Sequence, residues 1–189
     1  IGYGASVFAK EMGLDIVDNS YFTTNSRSKQ LNEIKKGETK SDPRGTVGCV
    51  AMDVNGNLAA ATSTGGMSGK KWGRVGDVPV IGAGTYANNA TVAVSATGHG
   101  ELWIRTVVAY DISALIEYKS LSLKDAANEV IFNKIDPMGG SGGGIIAVDK
   151  SGNFVMTFNT GLMHRAWATS EGDSGVGVLK GEEKKVILN

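Results

Sequence analysis

The chain has 189 residues, of which 41% are hydrophobic and 20% charged, which is enough for one globular domain with a core and short for two ordinary domains. Its 19 basic and 19 acidic residues cancel, so the composition favours a small-molecule or peptide substrate and lacks the charge excess typical of proteins that bind nucleic acid or anionic membranes. One cysteine and two histidines exclude an internal disulfide and a Cys/His zinc cage, and the lone cysteine fits a cytoplasmic protein.

The first 45 residues predict helices and a linker. A helix is expected around Ala5–Glu11, followed by a short strand-like element at Leu14–Val17 and a turn at 18–22. From Thr24 to Gly45 the composition is polar, which predicts a short helix and then a flexible linker. An exposed linker would leave the peptide bond at its end accessible to cleavage. An ordinary surface loop would have the same composition, so composition does not distinguish the two.

After residue 45 the sequence changes to strands and helices. β-Branched and small residues form runs bounded by glycine, asparagine or serine, as strands do, and these runs are apolar on both faces. The predicted strands are Thr46–Asp53, Leu58–Thr64, Thr91–Thr97, Gly144–Asp149 and Asn153–Asn159. Helical periodicity covers Glu101–Lys119 and Leu123–Ile135, the second helix beginning after Ser122 as N-cap. Cys49, in the first of these strands, is expected in the core.

These elements predict an α+β fold. Hairpins packed face to face, with helices outside, form a four-layer α/β/β/α sandwich, incomplete here at the N-terminus. Residues 1–45 and residues 46–189 are expected to form one domain together. The run Gly139–Gly144 precedes a strand and lacks the Lys-Ser/Thr of a phosphate loop, so no nucleotide site is predicted. No apolar run reaches the ~18 residues of a membrane span.

Cleavage of the peptide bond between Gly45 and Thr46 would create a catalytic group at the new N-terminus. If this peptide bond is cut, Thr46 carries a hydroxyl nucleophile and a free α-amine, whose ordinary pKa of about 7.7–8.0 suits a general base near neutrality. One residue then supplies both roles. Most Gly-Thr steps that open an apolar segment only start a strand, so the step alone does not establish this chemistry.

A hairpin between Thr46 and Thr64 gives a geometric test. A three-residue loop with Gly56 in the left-handed conformation places Thr46 directly opposite Thr64, about 5 Å away on one sheet face. A two-residue turn at Asn55 and Gly56 would place Thr46 opposite Gly65 and send Thr64 to the other face. We favour the three-residue loop. A cross-strand threonine pair without catalytic meaning would have the same register.

Several segments together resemble one enzyme family. They are Gly45–Asp53, Thr62–Gly66, Gly73–Asp77, Gly82–Asn89, Ala96–Glu101 and Phe158–Thr160. Their order and spacing are similar to the plant-type L-asparaginase and isoaspartyl aminopeptidase family of threonine N-terminal-nucleophile hydrolases. The resemblance implies cleavage between Gly45 and Thr46, followed by hydrolysis of the asparagine side-chain amide or of β-aspartyl dipeptides.

The resemblance also implies roles for the matching residues. Thr46 would be the nucleophile, Thr64 would hydrogen-bond to it, and Thr97 with Gly98 would form the oxyanion hole. From the sequence alone, Thr97 and Gly98 lie at a strand-to-helix corner whose backbone N–H groups can hold negative charge. Gly100 matches a glycine whose backbone contacts the substrate.

Arg74 and Asp77 match the arginine and aspartate that clasp the α-carboxylate and α-ammonium of the substrate in that family. A cation and an anion are what a clamp for a zwitterionic amino acid needs. Without the resemblance, they are an i,i+3 charge pair in a glycine-rich loop.

The family implies an αβ heterodimer after cleavage, paired as a dimer, with no cofactor for the chemistry and a structural Na⁺ or K⁺ ion as an open alternative. Family members carry further residues before the segment that matches Ile1, and the run Phe158–Arg165 departs slightly from the family pattern. Two alternatives stay open: a glycosylasparaginase-type amidase, and a non-catalytic truncated relic of the family.

Overall fold

The computed structural model describes residues 1–38, 45–139 and 142–186. Backbone contacts separate two units, one of Ile1–Arg44 with Gly66–Arg74 and one of Gly45–Gly65 with Val75–Asn189. The expectation that residues 1–45 and 46–189 form one domain stays a prediction. Of the predicted linker, residues 39–44 lie outside the described part of the chain.

The first unit is helical. Helix α1 covers Gly2–Glu11, a 3₁₀ turn follows at Asn19–Phe22, and α2 covers Asn25–Lys36. The Thr24 hydroxyl caps α2 by accepting from the N–H of Arg27 at 3.2 Å. Both predicted helices are confirmed, whereas the strand-like element at 14–17 is wrong. A strand needs a partner for its backbone groups, and residues 14–18 form no ladder.

The second unit contains two antiparallel sheets that build the candidate site and a third towards its C-terminal end. Strands β1 (Thr46–Met52) and β2 (Leu58–Thr64) form a hairpin. Four strands in the order β3-β4-β5-β6 form the larger sheet: β3 (Thr85–Ala87), β4 (Val92–Thr97), β5 (Gly144–Asp149) and β6 (Phe154–Phe158). The strands predicted from the sequence are confirmed to within two residues at each end, and β3 was not predicted.

The same three-residue turn closes three hairpins of this unit, at 53–57, 149–153 and 169–173. In each, the first residue donates its N–H to the carbonyl of the fifth, at 2.8–2.9 Å, and the glycine at the fourth position donates back to the first. These glycines, Gly56, Gly152 and Gly172, have φ of +80° to +84°. This is the conformation that glycine adopts without a steric penalty, which explains its place in each turn.

The β1–β2 hairpin packs on one face of the larger sheet and helices pack on the other. Alternation along β4 divides its side chains between the two interfaces. Val92, Val94 and Ala96 join the main core with the helices, while Ala93 packs against Leu58 of the hairpin. The unit therefore stacks hairpin, sheet and helices as layers, and the α+β fold class is confirmed.

The helical segment after β4 is broken where the sequence predicts continuity. Helix α3 (Gly100–Thr106) ends and α4 (Val108–Lys119) begins at Val107, whose φ is +50°. The first amides of α4 donate to the loop before β3, Ala109 to Ala83 and Tyr110 to Gly82. These bonds to another segment hold the break against the unfavourable backbone of a β-branched residue.

Helix α5 (Leu123–Asn128) begins as predicted. The Ser122 hydroxyl accepts from the N–H of Asp125 at 3.1 Å. The helix continues as a π-helical turn over Glu129–Ile135 and a 3₁₀ turn over Asp136–Met138.

A third sheet near the C-terminus was not predicted. It contains β7 (Leu162–Ala168), β8 (Ser174–Leu179) and β9 (Glu183–Lys185). Arg165 is buried in it at 7% exposure, and its guanidinium donates to the carbonyls of Met163, Val178 and Leu179. The glycines of β8 make room for this side chain and for Trp167, because a Cβ on Gly177 or Gly175 would overlap them.

Candidate active site

The hairpin places Thr46 directly opposite Thr64. The ladder runs from Met52 paired with Leu58 to Thr46 paired with Thr64 without a register shift. The N–H of Asp53 donates to the carbonyl of Asn57 at 2.9 Å, which closes the three-residue loop. The favoured turn is therefore confirmed, and the register that separates the two threonines is excluded.

Hydrogen bonds fix this turn. The Asp53 carboxylate accepts from the backbone N–H of Asn55 and of Asn57 and from the Asn57 side chain, at 2.7–2.8 Å. The bonds from Asn57, its side chain first and its backbone N–H second, hold the pKa of Asp53 below its ordinary value. The charged form of Asp53 thus sets the loop that aligns the threonines.

Thr46 and Thr64 lie on the hairpin face that packs against the larger sheet. This face is fixed by Thr62, whose hydroxyl lies 2.7 Å from the Ser95 hydroxyl and donates to the Gly84 carbonyl at 3.1 Å. Because side chains alternate along a strand, Thr64 shares the face of Thr62. Gly48, opposite Thr62, lies so close to Ser95 that a Cβ at residue 48 would be 2.9 Å from the Ser95 Cβ.

Thr97 lies on the facing surface of the sheet. At one end of the interface Leu58 contacts Ala93, and further along both strands Thr62 meets Ser95. Strands β2 and β4 therefore run in the same direction, and two residues beyond this contact each strand presents a threonine, Thr64 and Thr97. All three threonines are half-buried at the same end of the interface.

The carbonyl before Thr46 lies beside the Thr64 side chain. The Thr64 hydroxyl donates to the Gly45 carbonyl oxygen at 3.4 Å, a long hydrogen bond. Gly45 has φ of +152°, a backbone conformation that residues with a side chain rarely adopt. A hydroxyl donor on this carbonyl would polarise it towards attack by a neighbouring nucleophile.

The Thr97–Gly98 corner is closely packed. Strand β4 ends at Thr97 and α3 begins at Gly100, which is buried. A Cβ on Gly98 would overlap the fully buried Trp103 indole ring, at 2.6 Å from its Cζ2. Only glycine fits at residue 98, so the corner presents backbone and no side chain at this residue.

The two residues of the expected clamp fall in different units. Arg74 ends a segment of the first unit, and Asp77 belongs to the second. Asp77 is 4% exposed, and its carbonyl accepts from the N–H groups of Val80 and Gly84. The pairing of Arg74 with Asp77 around a substrate stays a prediction.

Cys49 lies on the outer face of the hairpin and not in the core, where it was expected. Cys49 is exposed, and Val47 beside it on that face is 68% exposed. Cys49 has an odd position in β1, whereas the packed face carries the even positions, so its side chain points away from the sheet. The expectation of a core cysteine is wrong because the strand's apolar composition does not show which face is packed.

Three residues near the corner were not singled out as functional from the sequence: Trp103, Gly143 and Asn159. Trp103 packs against Gly98, Gly143 packs against both Gly98 and Thr97, and Asn159 bonds to the backbone of Gly143. The glycine run before β5 was the available signal, because glycine is favoured where two backbones approach closely, but the run does not show which segment is approached.

Groups of three or more His, Cys, Asp or Glu side chains arranged to hold a metal ion do not occur among the described residues. Within the same residues, no helix combines the length and apolar character needed to cross a membrane.

Comparison with known proteins gives a consistent result. A family model described as Asparaginase matches residues 1–178. The chain is 48% identical to the isoaspartyl peptidase of Escherichia coli K12 over 191 positions, covering 95% of the chain and 59% of that protein. It is 49% identical to the isoaspartyl peptidase of Salmonella typhimurium (95% and 61%) and 39% identical to the isoaspartyl peptidase/L-asparaginase of Xenopus laevis (98% and 60%). The chain thus spans about three-fifths of the length of these curated relatives.

Proposed function

The chain belongs to the asparaginase family, whose model matches it from residue 1 to 178, and on that premise we propose that it is an autoprocessing amidohydrolase with Thr46 as N-terminal nucleophile. Its substrates are the side-chain amide of L-asparagine, the β-linked peptide bond of isoaspartyl dipeptides, or both. The names of the bacterial and frog relatives support this substrate class.

One observation carries the proposal: Thr46 is paired with Thr64, and the Thr64 hydroxyl donates to the Gly45 carbonyl. The nucleophile and the hydrogen-bond donor thus form the last ladder pair of the hairpin, and the scissile carbonyl belongs to the residue just before it. A structural threonine pair would need no glycine with positive φ before it and no hydroxyl on its carbonyl.

The first stage is self-cleavage. The Thr46 hydroxyl oxygen attacks the Gly45 carbonyl carbon, the C–N bond breaks, and the hydroxyl proton ends on the departing nitrogen, which becomes a free amine. Water then hydrolyses the Gly45 ester, which leaves a carboxylate on Gly45 and returns the hydroxyl to Thr46. The Thr64 hydroxyl stabilises the oxygen that becomes negative in this stage.

The second stage uses the new terminus. The Thr46 amine accepts the hydroxyl proton as the oxygen attacks the substrate amide, and the proton passes to the leaving nitrogen. Ammonia or an amino acid departs, and water hydrolyses the β-aspartyl ester to aspartate. Thr97 and Gly98 bind the oxyanion, each strong donor lowering the barrier by about 3–4 kcal/mol.

Arg74 and Asp77 clasp the α-carboxylate and α-ammonium of the substrate, and the backbone of Gly100 also contacts the substrate. This assignment rests on the family resemblance and on the opposite charges of the two side chains.

The chemistry requires no cofactor, because Thr46 supplies both nucleophile and base. The family resemblance allows a structural Na⁺ or K⁺ ion that takes no part in the chemistry, and we assign no residues to it. The cleaved segments stay together as an αβ heterodimer that pairs into a dimer, and the single cysteine supports a cytoplasmic location.

Mass spectrometry of the purified protein tests the first stage. We expect two fragments separated between Gly45 and Thr46, and intact chain for Thr46→Ala. Thr64→Ala should slow cleavage about 100-fold or more, as loss of an oxyanion donor does. Ser63→Ala is the matched control, since Ser63 is exposed on the opposite face of the same strand.

Release of aspartate from asparagine and from isoaspartyl dipeptides tests the second stage. Intact wild-type chain without amidase activity would refute the proposal and favour the truncated relic. Activity confined to glycan-linked asparagine would favour the glycosylasparaginase alternative.

A further inference from the structure

We propose that Asn159 is a positioning residue for the oxyanion corner at Thr97 and Gly98. This inference rests on the proposed function, because the corner is assigned there as the oxyanion site. Asn159 acts through the backbone of residues 142 and 143 and through the Trp103 ring.

Asn159 holds the backbone of the two residues before β5. Its Oδ1 accepts from the N–H of Gly143 at 3.0 Å and of Gly142 at 3.3 Å, while its own N–H donates to the Gly143 carbonyl at 3.0 Å. Its Nδ2 donates to the Asp136 carboxylate at the end of the helical segment. One side chain therefore ties the 142–143 backbone to β6 and to residue 136.

Gly143 transmits this constraint to the corner. A Cβ at residue 143 would lie 2.5 Å from the Thr97 carbonyl oxygen and 3.0 Å from the Gly98 Cα, and would overlap the Trp103 ring. The two backbones thus pack with no space for a side chain. A shift of Gly143 would therefore open a gap beside Thr97 and Gly98.

Trp103 closes the arrangement on the other side. Its ring packs against both Gly98 and Gly143, is fully buried, and carries an N–H without a hydrogen-bond partner in the described part of the chain. A buried N–H without an acceptor is costly, and among the described residues no polar bond orients this ring. Within that part of the chain the ring is held by packing, so its position depends on the neighbouring backbone that Asn159 fixes.

Catalytic geometry tolerates little displacement, since about 1 Å can cost on the order of 100-fold in rate. We expect Asn159→Ala to lower kcat about 10- to 100-fold and leave the inhibition constant of the product aspartate within about twofold, since ground-state contacts persist. An aldehyde analogue of asparagine, which forms a tetrahedral adduct with Thr46, should lose affinity in parallel with kcat.

A reciprocal exchange separates positioning from general stability. Asn159→Asp alone places two carboxylates together and should lower kcat. Combined with Asp136→Asn, it restores the side-chain bond with donor and acceptor reversed and keeps an acceptor for Gly142 and Gly143, so kcat should recover. Asn153→Ala, at the opposite end of β6, is the control: it should lower stability and leave kcat unchanged.

Hydrogen exchange gives a readout independent of activity. Asn159→Ala should speed amide exchange in the segment covering 96–101 as well as in the segment that contains residue 143. An unchanged exchange rate at 96–101 would overturn the inference, whether or not the wild-type chain is active. Parallel losses of aspartate and aldehyde affinity, or no recovery in the double exchange, would also overturn it. Inactive wild-type protein with faster exchange at 96–101 would contradict only the proposed function.

Discussion

Adding one methyl group at Gly48 should misalign the threonines. Gly48 lies on the packed face of β1, two residues from Thr46, directly over Ser95 of the sheet. A Cβ there would lie 2.9 Å from the Ser95 Cβ and closer to its hydroxyl. Gly48→Ala therefore pushes the hairpin away from β4 and moves Thr46 relative to Thr97.

The displacement follows from the contact. Ordinary carbon contacts begin near 3.4 Å, so the strands must separate by at least about 0.5 Å, and by more if the Ser95 hydroxyl keeps its bond to Thr62. Overpacking of this kind costs about 1–3 kcal/mol of stability. Since a misplacement of about 1 Å costs on the order of 100-fold, we expect cleavage and amide hydrolysis to slow about 10- to 100-fold.

Urea unfolding gives the stability change, and mass spectrometry with an amidase assay gives the two rates. Gly65→Ala is the control, because Gly65 follows Thr64 and its Cβ would meet nothing within 4 Å. Ser95→Gly should partly rescue Gly48→Ala by removing the opposing side chain. A folded Gly48→Ala variant with wild-type rates would refute the packing between hairpin and sheet as the device that aligns the threonines.

Two further predictions concern the clamp and the turn. Arg74→Ala should raise the KM for asparagine strongly and leave self-cleavage intact, because self-cleavage at Gly45 involves no free α-carboxylate for Arg74 to bind. Steady-state kinetics measures the KM, and mass spectrometry measures the cleavage. An unchanged KM would exclude the clamp. The pKa of Asp53 is lower in the folded state than its unfolded value of about 3.9. The charged carboxylate therefore stabilises the fold fully above the unfolded pKa, and this stabilisation is lost as the pH falls through the folded pKa. The urea midpoints of wild type and Asp53→Ala should therefore differ at pH 7 and converge at low pH, and a difference that persists at pH 2 would contradict the role of the charge.

The sequence was sufficient wherever local chemistry decides the structure. Gly56, three residues after Asp53 and directly before Asn57, fixes the loop of the first hairpin, and that loop alone pairs Thr46 with Thr64. Ser122 likewise caps its helix as predicted. These features depend on residues fewer than 20 positions apart, so turn and capping rules reach them.

Features that depend on distant segments were missed. The break at Val107 is held by hydrogen bonds to Gly82 and Ala83, which periodicity within the helical segment does not report. Cys49 was placed in the core because its strand is apolar on both sides, and only the packing of the even positions against β4 shows which side is covered. The third sheet is built around the buried Arg165, whose partners are backbone carbonyls of another strand.

The candidate site combines both kinds of information. A turn rule aligns Thr46 with Thr64, but the approach of Thr97 depends on tertiary packing at glycines without side chains. Gly48 lets the hairpin approach Ser95, and Gly98 and Gly143 let two backbones close around Trp103. The sequence shows these glycines but not the distant segment that each one packs against, so the contacts could not be predicted from it. They nevertheless set the distance between the proposed nucleophile and its oxyanion donors, so substitutions at these glycines should affect catalysis more than their effect on stability suggests.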